Sequence, residues 1–263
     1  MNYAITFACT SLGIGVAMVV DDWLVWLRDF RTEATAFVQN VVAAPEDAKD
    51  AELQSIRFAI YARLLTLLDT AIRQAEADKQ LELRITAREI IECSIHLEAA
   101  ARIPEYVETI KDDDRASKRS LVKAANDDQP PSDPATRRLV QEFMNNKTAK
   151  RVQPTDLGKG SDFKRLILIY REISSDSAHV TLTSLGRHVR ADEDGVNRMI
   201  IDPSLDDGEL FQTMSGIALS ALLCTWLLVK AVPSSEGSAE LIRLGQRYQS
   251  IYRRDKRLEH HGS

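Results

Sequence analysis

The 263-residue sequence predicts an all-α fold, a multi-helix bundle with one short β-hairpin near residues 187–202. Three observations predict it. Apolar residues recur every three to four positions through most of the chain, the repeat of a helix with one buried face. Proline and acidic residues stand where such runs begin, as at Ala44-Pro45-Glu46-Asp47 and Pro104-Glu105. No alternation of strand and helix patterns is present, so a doubly wound or barrel α/β fold has little support.

Taken in order, Tyr3 to Val20 is uncharged and carries β-branched residues with Gly13 and Gly15. It reads as a strand or as a poor helix start. From Asp21 the pattern is helical, with Trp23, Leu24, Leu27, Phe30, Phe37 and Val38 near a 3–4 residue period. Glu46 to Ala77 reads as one long helix with Ile56, Ile60, Leu64, Leu67, Leu68 and Ile72 on its stripe. Further helices are expected over Leu81 to Ala101 and Glu105 to Ala125. The polar, proline-rich stretch 126–134 is the clearest linker in the chain.

That linker separates an N-terminal helical part (1–125) from a C-terminal part (135–254), which is expected to pack on the first as one bundle. Residues 255–263 form a charged tail. In the C-terminal part, Ala135 to Asn146 and Asp162 to Ala178 read as helices joined by a polar, basic connection. The pattern then breaks. Arg187-His188-Val189-Arg190 and Arg198-Met199-Ile200-Ile201 flank the acidic turn Asp192-Glu193-Asp194-Gly195, which predicts the hairpin. A long apolar helix over Asp207 to Val232 and an amphipathic one over Ser238 to Arg254 complete the chain. Trp23, Trp26 and Trp226 fall on apolar stripes and are expected in the core.

Composition narrows the function classes. Hydrophobic residues make up 44% and charged residues 28%, ordinary for a soluble globular protein. A net charge of −5 argues against nucleic-acid binding through global charge, although a local basic patch remains open. Cys9, Cys93 and Cys224 lack C-x-x-C spacing and read as buried, reduced thiols of a cytoplasmic protein. Tyr3 to Val20 and Met214 to Val232 are both at the short edge for a bilayer span. No basic residue precedes the first, so buried elements and no membrane partner are expected. No phosphate-binding loop, dinucleotide fingerprint, H-E-x-x-H, G-x-S-x-G or zinc spacing is present, so no cofactor and no metal are expected. Arg243, Arg247, Arg253, Arg254, Lys256 and Arg257 near the C-terminus read as favourable charge at a helix end plus a solvated tail.

One constellation stands out. Arg88-Glu89-Ile90-Ile91-Glu92-Cys93-Ser94-Ile95-His96 and Arg171-Glu172-Ile173-Ser174-Ser175-Asp176-Ser177-Ala178-His179 share Arg-Glu-Ile, an acid and Ser-x-His. Such a pair could mark two helices that face each other across one site. Arg and His eight residues apart on a helix differ by roughly 80° beyond two turns and by about 12 Å along the axis. Glu92 and His96 are four apart, Asp176 and His179 three apart, so each His has a carboxylate on its own face. That carboxylate can orient the imidazole or raise its pKa. Charges at this spacing more often form a solvated face. The sharper readings are a metal-independent ribonuclease and a carboxylate-His metal site. In the first, Arg171 and His179 act at a phosphodiester, with Tyr170 and Ser174 positioning the phosphate. In the second, Asp176-x-x-His179 has bundle-metal spacing with the wrong acid and Glu92-x-x-x-His96 is one residue too long.

The run Arg84, Arg88, Glu89, Glu92, the helix start at Pro104 and the later Tyr170-Arg171-x-x-Ser174-x-x-x-x-His179 together resemble the uncharacterised bacterial domain family numbered five-six-seven-seven. More distantly, the pattern is similar to the HEPN superfamily of helical-bundle nucleases and nucleotide-binding proteins. The resemblance covers Phe58 to Val232. It implies RNA cleavage by an Arg-x(4–6)-His motif, often at a dimer interface, in toxin–antitoxin and phage-defence systems. It puts Arg171 and His179 in the catalytic role, with Arg88 and Glu92 as supporting partners. The sequence departs from that pattern, because seven residues separate Arg171 from His179. The expected function is therefore an RNA-targeting HEPN-like bundle in bacterial defence or stress response. The alternative is a non-catalytic helical interaction module, an antitoxin or complex subunit, and the third is a metal-dependent bundle enzyme. RNA, a protein partner and a second copy of the chain are the expected partners.

Overall fold

A computed structural model describes residues 4–40, 48–145, 150–177, 181–231 and 238–261. Its elements are α1 (Ala4–Asn40), α2 (Ala48–Glu76), α3 (Gln80–Arg102), α4 (Tyr106–Asp128), α5 (Pro134–Asn145), α6 (Pro154–Leu157), α7 (Lys164–Ser177), α8 (Leu182–Gly186), β1 (Val189–Ala191), β2 (Asn197–Met199), α9 (Asp207–Ala231) and α10 (Ser238–His261). The protein is an all-α multi-helix bundle with one antiparallel hairpin, β1 pairing with β2 in the register Val189↔Met199, Arg190↔Arg198, Ala191↔Asn197.

The central helix is α3, which packs on α2, α9 and α7. Its sequence explains this position. Leu83, Ala87, Ile90, Ile91, Cys93, Ile95, Leu97, Ala99 and Ala100 are all buried, so apolar residues surround the axis instead of forming one stripe. The same holds for α9, which is apolar and long enough to cross a membrane, and most of that apolar stretch is buried inside the bundle. A reciprocal cap starts α9: Asp206 Oδ1 accepts from the Glu209 backbone N–H at 2.8 Å, and Glu209 Oε2 accepts from the Asp206 N–H at 3.1 Å. The helices of the N- and C-terminal parts share one core, with Trp26, Leu64, Leu68, Ile90, Ile91, Ile173, Met214, Ile217 and Ala221 at or near zero exposure.

Two helices contribute little to that core. Only Tyr106, Val107 and Ala116 of α4 are buried, and no residue of α5 is. The pair forms an arm that leaves Leu121, Leu139 and Phe143 exposed. Asp133 caps α5, its Oδ2 accepting from the Thr136 N–H at 2.7 Å.

Several expectations are corrected. The stretch 126–134 is shorter as a linker, because Asn126 to Asp128 belong to α4 and Pro134 begins α5. The N-terminal stretch is helical from Ala4, one continuous element with the helix read from Asp21. Trp226 is 41% exposed and carries Lys230 Nζ 3.8 Å above its ring. A helix as evenly apolar as α9 has no stripe to tell its inner face from its outer one. Two of the basic residues of α10 act more specifically than a solvated face would, since Arg247 pairs with Asp29 and Arg254 with Asp22, tying α10 to α1. The side chains of Lys256 and Arg257 lie outside the described residues, as does that of Cys9. Cys93 and Cys224 are buried free thiols.

Candidate functional site

A polar side chain at a packed helix interface must find partners or carry a desolvation penalty. The α3–α7 interface holds four such side chains, and they satisfy one another. Arg88 Nε donates to Ser174 Oγ at 3.1 Å, and an Arg88 terminal nitrogen donates to the Tyr170 phenol oxygen at 3.0 Å. The Tyr170 hydroxyl in turn donates to Glu92 Oε2 at 3.2 Å. Glu92 lies one helical turn beyond Arg88 and 3.4 Å from its guanidinium. The guanidinium carbon is 5.2 Å from the Tyr170 ring centroid, within cation–π range. Burial, then the neighbouring Glu92, raises the Tyr170 pKa, so the phenol stays protonated and able to donate.

Helix periodicity brings these groups together. Arg88 and Glu92 are i, i+4 on α3, and Tyr170 and Ser174 are i, i+4 on α7, so each helix supplies one pair to one face. The two similar sequence segments therefore lie on facing helices. Arg88, Glu92, Tyr170 and Ser174 are brought together. Arg171 is not part of the cluster: it follows Tyr170 by one position, about 100° round the helix, and is exposed. The side chain of Asp176 and the whole of His179 lie outside the described residues. Five of the seven expected site residues are thus placed, four of them in mutual contact.

A cavity of about 200 Å³ adjoins the cluster on the other side of Glu92, lined by Ile60 and Arg63 of α2 and by Glu89, Glu92, Cys93 and His96 of α3. Arg63 donates to Glu89 Oε2 at 3.1 Å. His96 is partly buried and not a solvated surface group. Its Nδ1 lies 2.9 Å from the hydroxyl of the buried Tyr106. Burial lowers the His96 pKa below its ordinary value, against the opposing pull of Glu92 and Asp113, so the imidazole is neutral at pH 7. Burial likewise raises the Tyr106 pKa and pushes the Cys93 thiol up to about 11. Sequence reading did not single out Arg63 and Tyr106. Each looks like one more polar or aromatic position on an amphipathic helix, and only the α2–α3 and α3–α4 pairings give it a role.

A second buried charge network is structural. Arg84, 1% exposed, donates to Thr213 Oγ1 at 3.0 Å, Gln212 Oε1 at 3.2 Å and the Glu209 carbonyl at 3.3 Å. Arg187 forks onto the Glu209 carboxylate, with one branch at 3.0 Å, and holds that carboxyl below its ordinary range. The contacts join α3, α9 and the segment leading into β1. Among the described residues no three His, Cys, Asp or Glu side chains converge as metal ligands.

A helical bundle with a half-buried Arg–Tyr–Glu–Ser cluster and an adjoining cavity is the class of protein that the fold and site define. Compared with known protein families, curated proteins and solved structures, the chain has no significant match to any of them.

Proposed function

We propose that this protein is an RNA-targeting helical bundle of HEPN-like type, a metal-independent ribonuclease of bacterial defence or stress response, with Arg88 as its phosphate-binding cation. One observation carries the reading. The two segments on which the resemblance to the numbered domain family and the HEPN superfamily rests, 82 residues apart at Arg88 and Tyr170, meet in one hydrogen-bonded cluster. Arginine has five N–H donors, and the cluster uses Nε and one terminal nitrogen. The Arg88 Nη1 donors have no hydrogen-bond partner among the described residues, and its side chain is 23% exposed. A phosphodiester oxygen can reach that edge of a guanidinium already held in place.

In this reading His179, five positions after Ser174, takes the proton from the ribose 2′-hydroxyl. The 2′-oxygen attacks phosphorus, the bond to the 5′-oxygen breaks, and His179 returns the proton to that leaving oxygen. Arg88 stabilises the charge that grows on the non-bridging oxygens. Labelled single-stranded RNA in EDTA tests it. The wild type cleaves, leaving a 2′,3′-cyclic phosphate, and Arg88→Ala and His179→Ala each lose about 100-fold or more. An Arg171→Ala variant that loses activity while Arg88→Ala keeps it would move the phosphate contact to the exposed arginine.

No cleavage by the wild type would leave the interaction-module reading, which a different observation favours. The α4–α5 arm contributes little to the core and exposes Leu121, Leu139 and Phe143, the kind of apolar surface that partner proteins cover.

A further inference from the structure

We propose that the cavity between α2 and α3 is a nucleobase subsite selective for guanine. The proposal rests on the RNA-targeting reading, because Glu92 belongs both to the Arg88 cluster and to the cavity wall.

The wall has a directional chemistry. Glu89, Glu92, Cys93 and His96 are spaced i, i+3, i+4 and i+7, one face of α3, and Ile60 and Arg63 are i, i+3 on the facing helix. Each carboxylate has one committed oxygen: Glu89 Oε2 accepts from Arg63 and Glu92 Oε2 from Tyr170. Oε1 of each carries no hydrogen bond among the described residues. Two acceptors and one exposed guanidinium therefore border a space that can admit one purine ring.

Guanine fits that border better than the other bases. Its N1–H and exocyclic amino group are adjacent donors, which one carboxylate takes with two oxygens or two carboxylates take in turn. Its O6 and N7 are adjacent acceptors, the edge to which an arginine guanidinium binds bidentately. Adenine turns an N1 lone pair toward the carboxylates, and uracil flanks its single N3–H with two carbonyl oxygens. Cytosine offers one amino group beside an unprotonated nitrogen. The rest of the wall suits the ring faces, since Ile60 is apolar and burial keeps the Cys93 thiol and the His96 imidazole uncharged. Arg63 is 65% and Glu89 39% exposed in their side chains, so the pair between them is a weak surface interaction that a ligand can rearrange.

Calorimetric titration of the full chain with guanosine, adenosine, cytidine and uridine tests the subsite without any phosphate. Guanosine is expected to bind about tenfold or more tightly than the others. Glu89→Gln, nearly isosteric, removes the preference, and Ile60→Trp, which fills the cavity, removes guanosine binding, each with an unchanged helical circular-dichroism spectrum. Equal affinity for the four nucleosides, or no guanosine binding at millimolar concentration, would overturn the proposal. RNA cleavage without guanosine preference removes the subsite and keeps the ribonuclease. Guanosine preference in a protein that leaves RNA intact keeps the subsite and removes the ribonuclease.

Discussion

Arg88 on α3 and Tyr170 on α7 hold each other in two ways at once, through a 3.0 Å hydrogen bond to the phenol oxygen and through the ring face, whose centroid is 5.2 Å from the guanidinium carbon. The phenol in turn donates a hydrogen bond to Glu92, so a cation and an anion on one helix are bridged by a neutral group on another. Such a bridge fixes the direction of the guanidinium more firmly than the i, i+4 ion pair alone, which at 3.4 Å is the loosest contact of the set.

Tyr170→Phe keeps the ring and removes the bridge. It is expected to cost about 1–2 kcal/mol in unfolding free energy, the loss of a hydrogen bond to a charged partner at a half-buried site. A double-mutant cycle with Arg88→Met should give a coupling of about 0.5–3 kcal/mol by urea denaturation, and a coupling of zero would mean that the two side chains do not act together. Arg88→Lys retains the charge but not the fork, and on the RNA-targeting proposal it should weaken RNA binding even where stability is kept.

His96 makes stability depend on pH in a defined direction. Burial depresses its pKa below the ordinary 6.5, so the unfolded chain binds the proton more readily than the folded one. The stabilisation is then fully present above pH 6.5 and declines as pH falls toward and through the folded pKa. His96→Gln, which cannot titrate, should flatten the fall in urea midpoint below pH 6.5 relative to the wild type. A wild-type midpoint that rises on acidification through this range would contradict the assignment.

The α4–α5 arm yields a prediction of small effect. Leu139 is 66% and Phe143 40% exposed, and α5 buries no residue. Leu139→Lys and Phe143→Lys together should change unfolding free energy by less than about 0.5 kcal/mol per site. If the arm is a partner surface, the same pair abolishes association in a sedimentation or pull-down assay while the thermal midpoint stays put.

Much of the helix framework was legible in the sequence because apolar periodicity and stop signals coincide. Gln80–Arg102 and Pro134–Asn145 fall within about a residue of where the pattern places them, and the hairpin follows the acidic turn at Gly195, whose φ of 76° suits glycine. The short helices Pro154–Leu157 and Leu182–Gly186 escaped, being too brief for a repeat to register. Of the site, Arg88, Glu92, Tyr170 and Ser174 were visible as residues because two segments share a pattern. Their roles were not, because spacing along one helix cannot say which neighbour a side chain meets across the interface. Arg171 drew attention by matching the pattern, yet a step of one residue turns it out to solvent. Arg84 read as the first residue of a functional run, whereas its burial among Thr213, Gln212 and Glu209 makes it part of the scaffold.

The attachment of α10 to α1 separates apolar from ionic contributions. Trp26 is fully buried, stacks on Phe30 at 5.2 Å and donates its indole N–H to the Leu244 carbonyl of α10 at 3.0 Å. Arg247–Asp29 and Arg254–Asp22 span the same two helices, but all four side chains are more than a third exposed. Exposed ion pairs contribute about 0–1 kcal/mol each, whereas emptying a buried tryptophan site costs about 3–5 kcal/mol. Trp26→Ala should therefore lower unfolding free energy several times more than Arg247→Ala and Arg254→Ala combined. Trp26→Phe should fall between them at about 1–2 kcal/mol, since it keeps most of the packing and loses the indole donor. Urea titrations at low and high salt give the decisive contrast. The arginine variants should converge on the wild type as salt screens their pairs, and the Trp26 variants should keep their deficit.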